Sequence, residues 1–472
     1  MDPMGSLKLP RRRAAVVIAV AALAAATTAC KPPPPAAGSV LIGCDRAGER
    51  VQVTVSSHLD PSCTYTAGLD IRASDVTLDC QGALIQSAPG AGGRGILVST
   101  PIDVPLHDVT VRNCTVSGFL NSLRVTRDGF RTLPEGAEYE NGLANIVVER
   151  STFRDSRGVG VFVDGYVEGV TLQNNTVTAT GSSGIYLETG SRRTRVQGNH
   201  IVGNGFRENG PGGQLTTFAG TDFWFWGVGR EGISVDGSYE NEIVGNVIER
   251  NSAGGIFLYK NCGEYPDRPS YFERRFPSDR NLIEGNVIVD ETTGIWVGSR
   301  MGENTLPMDC TDPAYVDEPL RRVVHDFASD NTVRSNVIAD TTYGIRVEDD
   351  GNRIEANRFV ADAPGRHAVI IGTPLRTTVL GLPVTGTVLI DNQAELAGND
   401  FPYRWVTGHA GTTAVGNTAH GQPVELCQGV EPPRSPLIFV IAVALAGPGG
   451  TPPATTPDLT FPVLGELADC GA

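Results

Sequence analysis

Acidic and basic side chains recur at matching places along this chain. Asp164, Glu188 and Asp236 each close a short phrase of the type Gly-Ile-x-Val-x, and Lys260 and Arg300 follow two later copies of it. Carboxylates, lysines and arginines that share one surface can act as proton donors, proton acceptors and binders of negative charge. The five residues therefore predict a site for acid–base chemistry.

Aromatic residues accompany these charges. In the phrase Gly-Ile-x-Val-x the Ile and Val are expected to point inward, so that both x positions face outward on a single side of the molecule. Outward rings beside carboxylates are the surface against which sugar rings stack. The predicted substrate-binding residues are Tyr186, Phe257, Tyr259, Trp296 and Arg346 on that face, with Trp224 and Trp226 in a nearby insertion.

The phrase itself repeats, and each copy is preceded by a turn of the type Val-x-x-Asn-x-Val/Ile. Asn175 and Asn199 are 24 residues apart, and Asn336 and Asn357 are 21 apart. Repeats of this length, made of short alternating strands, are the signature of a parallel β-helix. The sequence therefore predicts an all-β solenoid in which the turn asparagines stack.

Coil spacing then sets the separation of the carboxylates. Neighbouring coils lie about 4.8 Å apart, so the outer members of the trio of Asp164, Glu188 and Asp236 would be about 10 Å apart in backbone. Retaining glycosidases use carboxyl groups about 5 Å apart and inverting ones about 6.5–9.5 Å. Both separations are available, although outward carboxylates on a strand are also commonly solvated or bound to a structural cation.

These repeats, together with the opening coil at residues 75–82, resemble the right-handed parallel β-helix proteins of the pectate-lyase-like superfamily. They are also similar to the repeats of alginate C5-epimerases. The resemblance covers about residues 65–425. It implies a scaffold with terminal caps and long loops on one face, and a polysaccharide as substrate or ligand.

The resemblance also implies a second chemistry. Lys and Arg serve as base and acid in some β-helix lyases, with Ca²⁺ neutralising the substrate carboxylate; here these would be Lys260 and Arg300, and Asp236 would help to hold the cation. The chain departs from the lyases, because Ala253, Gly254 and Gly255 stand where they place an acidic pair. It also lacks the Asp-Pro-His tripeptide of the epimerases.

Three long insertions interrupt the coils at residues 203–230, 263–280 and 301–330. All three adjoin Gly-Ile-x-Val strands of consecutive coils, so they are expected to rise around one patch. Long loops on a regular scaffold are usually functional or disordered, and their aromatic content argues against disorder.

The N-terminus resembles an export signal. A basic segment precedes an apolar run and small residues that end at Cys30, followed by a Pro-rich stretch. This is similar to a bacterial lipoprotein signal, which implies lipidation of Cys30; simple secretion is the alternative. We thus expect a signal peptide at 1–29, a tether at 30–38, an N-terminal cap at 39–70, the β-helix at 71–425 and a C-terminal cap at 426–472.

The cysteine count agrees with export. Without Cys30 eight cysteines are left, an even number that favours disulfides over a metal site in an exported chain. Neighbouring positions suggest the pairs Cys44–Cys63, Cys80–Cys114, Cys262–Cys310 and Cys427–Cys470.

The formal net charge of −15 argues against nucleic acid as a partner. We expect a monomer that meets the membrane only through its lipid. Two functions stay open at this point. One is an extracellular polysaccharide lyase, epimerase or glycoside hydrolase; the other is a non-catalytic surface module that binds a glycan or another envelope component.

Overall fold

The protein is described by a computed structural model in which three 13-stranded sheets run along the chain. We name them sheets A, B and C. The described residues are 32–88, 92–218, 221–262, 271–298, 314–319, 321–324, 327–373, 376–377, 381–406, 411–428 and 440–442. Each coil supplies one strand to A, then C, then B, and the strands pair in parallel with those of the next coil. The predicted all-β parallel β-helix is confirmed.

Sheet A is formed by one short strand from each coil. Its strands, in order, are Val40–Ile42, Ser57–Leu59, Thr77–Asp79, Leu106–Arg112, Leu143–Glu149, Glu168–Gln173, Arg195–Gln197, Glu242–Val244, Leu282–Glu284, Thr332–Arg334, Arg353–Glu355, Val388–Ile390 and Thr413–Val415.

Sheet C follows the asparagine turn, and its last strand returns antiparallel. Its strands are Thr64–Tyr65, Leu84–Gln86, Thr115–Ser117, Thr152–Arg154, Thr176–Thr178, His200–Val202, Val247–Glu249, Val287–Val289, Val337–Ala339, Arg358–Ala361, Gln393–Leu396, Thr418–Ala419 and Gln422–Pro423.

Sheet B contains the Gly-Ile-x-Val phrases and so positions the candidate site. Its strands are Val51–Val53, Leu69–Ile71, Arg94–Pro101, Asn121–Asp128, Val161–Val163, Ile185–Glu188, Glu231–Asp236, Gly254–Tyr259, Thr293–Val297, Tyr343–Val347, His367–Ile371, Tyr403–Trp405 and Cys427–Gln428.

Two small antiparallel sheets and two 3₁₀ turns in the described part of the chain lie outside the three long sheets. Antiparallel strands Gln214–Phe218, Thr221–Trp226 and Val440–Ala442 form one small sheet, and Ala314–Glu318 pairs with Arg321–Val324. Two 3₁₀ turns cover Cys44–Arg46 and Phe130–Thr132. Among the described residues, no helix has the length and apolar character needed to cross a membrane.

The Ile and Val residues of the repeating phrase form the hydrophobic core. Its isoleucines stack inside the solenoid, where Ile256 and Ile295 are fully buried. The glycine that precedes them is required by close approach of the next coil: a Cβ at Gly255 would lie 2.5 Å from the carbonyl oxygen of Gly294. Burial of a Val or Ile contributes about 1.5–3 kcal/mol each, so the stacked rows are the main stabilising element.

The predicted asparagine ladder is confirmed at the turn between sheets A and C. The side-chain amide of Asn199 donates to Asn246 Oδ1 at 2.9 Å, and Asn246 donates to Asn286 in the same way. Each amide also donates to a buried backbone carbonyl, as Asn246 does to Val196. The ladder thus satisfies turn groups that would otherwise be buried without partners.

Two of the predicted disulfides are confirmed, Cys44–Cys63 and Cys80–Cys114. Cys262 and Cys427 are disulfide-bonded as well. Their proposed partners Cys310 and Cys470 lie outside the described residues, so these two pairings stay predictions. Cross-links near both ends of the solenoid limit fraying of the terminal coils.

The solenoid begins inside the segment expected to be a cap. Strands Val40–Ile42, Val51–Val53 and Thr64–Tyr65 are the first strands of sheets A, B and C. Residues 39–70 therefore contribute coils of their own, with the Cys44–Cys63 bridge beside the first of them. Of the expected C-terminal cap at 426–472, only 426–428 and 440–442 are described. The expected signal peptide and Cys30 lie outside the described residues.

Candidate active site on sheet B

The outward positions of sheet B stack in the expected register. Tyr186 pairs with Ser234, and Glu188 pairs with Asp236 in the next coil. Asp236 in turn pairs with Tyr259. Since paired residues of adjacent strands point the same way, Glu188 and Asp236 are neighbours on the outer face of the sheet.

Asp164 is held in a closed ion pair. Arg124 donates to both of its carboxylate oxygens, at 2.9 and 2.5 Å. Burial by itself lowers the pKa of Arg124, but the adjacent Asp164 carboxylate outweighs burial and raises that pKa above its usual value. The guanidinium also lies 4.9 Å from the centre of the Phe162 ring. This geometry gives Asp164 a structural role, because both of its oxygens are engaged.

Glu188 is paired with an arginine from an insertion. Arg274 donates to Glu188 Oε1 at 2.8 Å and to the hydroxyl of Thr189 at 3.0 Å. Burial alone lowers the pKa of Arg274, whereas the carboxylates of Glu188 and Asp236 raise it, and the net direction is upward. Arg274 therefore stays charged and brings a cation to the carboxylates of sheet B.

Asp236 is almost fully buried and receives three hydrogen bonds. The Tyr186 hydroxyl donates to Oδ2 at 2.6 Å, and Asn261 donates through its backbone N–H at 2.6 Å and its side-chain amide at 2.5 Å. Burial raises the pKa of the Asp236 carboxyl above its ordinary value; Arg274 acts in the opposite direction. A carboxyl with a raised pKa is suited to carrying a proton.

Lys260 and Asp236 line the same small cavity. Arg274, Arg275 and Phe276 form other parts of its wall, and its volume of about 10 Å³ is close to the minimum for one water molecule. Lys260 is 3% exposed. Lysine is also rare in this protein. Lys8, Lys31 and Lys260 are the only lysines, and arginine supplies the rest of the 38 lysine and arginine residues.

The expected row of exposed aromatics is incomplete in the described part of sheet B, which corrects the sequence-based expectation: Phe162 and Tyr186 are half-buried, and three other rings are fully covered. Phe257, Tyr259 and Trp296 point outward, yet each is 0% exposed, and together they form a small apolar cluster outside the main core. The register of a strand determines the direction of a side chain but not what covers it. These rings cannot contact a sugar in this conformation.

Two further outward residues are engaged in buried polar contacts. The Tyr259 hydroxyl donates to Glu231 at 2.8 Å and accepts from Arg230 at 2.9 Å. Arg346 pairs with Glu348 and is also buried. Such paired charges maintain the outer layer of sheet B and leave Arg346 no open surface for a ligand.

Three predicted site residues have side chains outside the part of the structure that is described. Arg300 lies outside the described residues. Trp224 and Trp226 belong to the strand Thr221–Trp226, whose backbone pairs with Gln214–Phe218 and Val440–Ala442. Their suggested roles as catalyst and as sugar-binding rings stay predictions.

The carboxylates on this face do not fit a Ca²⁺ site. Calcium takes six to eight oxygen ligands. The oxygens of Asp164, Glu188 and Asp236 instead accept hydrogen bonds from arginine, asparagine and hydroxyl groups. We therefore derive no step through calcium.

Arg274, Arg124 and Asn261 were missed as site residues. Arg274 was visible only as part of an aromatic-rich insertion, because residues outside the repeats carry no periodic signal. Arg124 lies in Asn121–Asp128, a strand of sheet B without the Gly-Ile phrase. The isolated lysine at position 260 was a signal that composition alone provides.

Comparisons with known proteins agree with the fold. The model of the family described as right handed beta helix region matches residues 66–306. No curated protein matches the chain. A mannuronan C-5 epimerase A-module from Azotobacter vinelandii is 15% identical, with 82% of this chain and 94% of that chain covered and a TM-score of 0.41.

Two further solved structures overlap more weakly in sequence. The catalytic domain of a GH87 α-1,3-glucanase is 9% identical, with 83% of this chain and 63% of that chain covered and a TM-score of 0.42. An alginate lyase from a Paenibacillus species is 11% identical, with coverage of 82% and 98% and a TM-score of 0.34. Similarities this low say nothing about the reaction of this chain.

Proposed function

We propose that this chain, which belongs to the right-handed β-helix family, is an exported polysaccharide-processing enzyme whose reaction centre is the cavity at Asp236, Lys260 and Arg274. The observation that carries the proposal is the burial of the chain's only lysine beyond residue 31 beside a carboxyl and an arginine. Arginine serves as the basic residue elsewhere in the solenoid, where it forms ion pairs. A single buried lysine in a polar cavity fits a proton-transfer role better than a surface role.

The residue types favour proton abstraction next to a carboxylate. In a uronic acid the hydrogen at C5 is adjacent to the carboxylate, and removing it requires a base and a cation that stabilises the developing negative charge. Lys260 is the proposed base and Arg274 the proposed partner of the substrate carboxylate. Asp236 is the second proton carrier.

Two outcomes are open after the proton leaves C5. In elimination the C4–O bond breaks, a C4=C5 double bond forms and the departing oxygen takes a proton from the site. In epimerisation a proton returns to C5 on the opposite face of the ring. Both need two proton carriers near one carbon, which Lys260 and Asp236 would supply.

Glycoside hydrolysis is the second candidate. It is favoured by the cross-strand pairing of Glu188 with Asp236, since adjacent strands place carboxyl groups near the separation used by retaining enzymes. The environments of the two groups differ as well, because Glu188 is ion-paired to Arg274 while burial raises the pKa of Asp236. In this scheme Asp236 is the acid and Glu188 the nucleophile.

Export and anchoring belong to the same proposal. The two described disulfides agree with an oxidising compartment. Lipidation of Cys30 would keep the enzyme at the cell envelope.

The test is a screen of the purified chain against uronic-acid polysaccharides and neutral glucans, with Lys260→Ala alongside. Elimination gives products with ultraviolet absorbance from the new double bond, epimerisation changes the NMR signals of the sugar without shortening the chain, and hydrolysis gives new reducing ends. Binding without any of these changes would favour the non-catalytic module instead. Turnover that survives in Lys260→Ala would place the reaction elsewhere.

A further inference from the structure

We infer that residues 271–278 form a removable strap over the reaction centre, and that a sugar chain can reach Lys260 only when the strap lifts. This inference rests on the proposed function for its biological meaning. Its structural content can be tested without any substrate.

The first half of the strap is attached to earlier coils. The Phe272 ring meets the edge of Phe130, with ring centres 5.4 Å apart. Arg274 then reaches down to Glu188 at 2.8 Å. Arg275 donates to the buried carboxylate of Glu138 at 2.7 Å. The strap therefore runs from Phe130 in an earlier coil back toward Tyr239 and Gly237 in the later coils, and it passes Glu188 of sheet B on the way.

The second half of the strap lies on glycines. Phe276 stacks on Tyr239 at 5.3 Å between ring centres. A Cβ at Gly190 would lie 2.7 Å from the Phe276 ring, and one at Gly237 would lie 2.8 Å from the Phe276 carbonyl oxygen. Both glycines have positive φ, at 62° and 56°. The body of the solenoid is shaped to accept the strap closely, which explains why so little space is left beneath it.

The size of the cavity requires the strap to move. Sites for small ligands commonly enclose about 300–1,000 Å³. The cavity beside Lys260 has about 10 Å³, and Arg274, Arg275 and Phe276 of the strap form part of its wall. A monosaccharide unit cannot fit there, so entry of a sugar to Lys260 requires displacement of these three side chains, and Arg274 pairs with the substrate carboxylate once the strap has closed again over the sugar.

The way the strap is attached allows that movement. Residues 271–277 belong to no strand, and most of their side chains are only partly buried. Ion pairs, ring contacts and the hydrogen bonds of the buried Ser278 at its end hold the strap, while the regular coils beneath it are held by strand ladders and core packing. Phe272 and Phe276 pack on the small cluster of Phe130, Leu133 and Tyr166, which is separate from the main core. A segment outside the strand ladders opens at a lower free-energy cost than the core.

Lys260 provides a direct reporter of this opening, because it is the only lysine beyond residue 31. The full chain is treated with an amine-acylating reagent, and modification of Lys260 is followed by peptide mass spectrometry. We expect slow labelling of the folded wild-type protein compared with the chain unfolded in guanidinium. Arg275→Ala, which removes the contact with Glu138, should raise the Lys260 labelling rate by roughly tenfold or more.

The matched control is Arg195→Ala, which removes an exposed arginine paired with Glu242 on sheet A; its Lys260 labelling should equal that of the wild type. If Arg275→Ala does not fold, Phe276→Leu offers the same test by removing the stack on Tyr239. Fast labelling of the wild-type chain would overturn the strap. So would labelling that rises equally in Arg275→Ala and Arg195→Ala. Neither result depends on whether any polysaccharide is turned over, so failure of the strap and failure of the proposed function are distinguishable.

Discussion

The Tyr186 hydroxyl donates a 2.6 Å hydrogen bond to Asp236, although the two residues are 50 positions apart in the chain. Sequence alone suggests that Tyr186 stacks against a sugar and that Asp236 acts separately. The structure instead makes the tyrosine a positioning residue for the carboxyl. Its ring is stacked against Phe162, with centres 5.3 Å apart, which fixes the direction of the hydroxyl.

Tyr186→Phe should therefore affect Asp236 rather than sugar stacking. Because that hydrogen bond lowers the pKa of Asp236, its loss should shift the pH profile of turnover to higher pH and decrease kcat more than it raises KM. We also expect about 1–3 kcal/mol less free energy of unfolding, since Asp236 loses a buried donor. Tyr343→Phe, at another tyrosine of sheet B, is the control. A change confined to KM would indicate that Tyr186 binds sugar directly.

Arg124→Ala should destabilise the fold strongly. It leaves the Asp164 carboxylate buried without its partner, which costs on the order of 3–5 kcal/mol. Arg154→Ala removes an arginine paired with Asp155 on the surface, where both side chains are about half exposed, and should cost less than about 1 kcal/mol. Urea unfolding of both variants measures the difference. Equal midpoints would show that Asp164 is not held as described.

Glu291 makes the stability of the solenoid depend on pH. Burial raises the pKa of this carboxyl to about 8, with Asp290 and Glu249 adding to the rise and Asn251 opposing it. A folded state that keeps a proton which the unfolded chain has lost is stabilised at low pH. Stability should therefore fall as pH rises from about 4.5 to about 8.

Glu291→Gln keeps the hydrogen-bonding shape but removes this titration. At pH 8 the free energy of unfolding of the variant should exceed that of the wild type by roughly 2–4 kcal/mol, and near pH 5 the two should differ little. Chemical unfolding at both pH values measures this difference. Glu284→Gln, at a half-buried position paired with Arg334, is the control. A gain at pH 5 as large as that at pH 8 would rule out the titration of Glu291 as the cause.

The periodic part of the molecule could be predicted, because each repeat carries its own pattern of inward and outward residues. Ile233, Ile256 and Ile295 recur at spacings that only a stacked coil can bury, so the fold, the outward face and the pairing of Glu188 with Asp236 followed from register. Arg274 could not be found that way, because it comes from an insertion whose path depends on tertiary contacts. Trp296 is buried although its register predicts an outward position, because register sets the direction of a side chain and not what packs against it.

Peptide mapping without reduction should recover the bridges Cys44–Cys63 and Cys80–Cys114. Loss of the second bridge in Cys114→Ala should lower the free energy of unfolding by about 2–4 kcal/mol. The same map tests the predicted pairs Cys262–Cys310 and Cys427–Cys470. Free thiols at Cys80 and Cys114 in the purified, unreduced protein would contradict the described bridge.

The most direct test of the reaction centre compares wild-type turnover with that of Lys260→Arg on any polysaccharide that the wild type processes. Arginine at position 260 is a cation of similar length, but it does not give up its proton near neutral pH and so cannot act as a base. We predict a loss of at least about a hundredfold in kcat, with the circular dichroism spectrum and melting temperature close to those of the wild type. A Lys260→Arg variant that folds normally and keeps wild-type turnover would contradict the assignment of Lys260 as the proton-transfer residue.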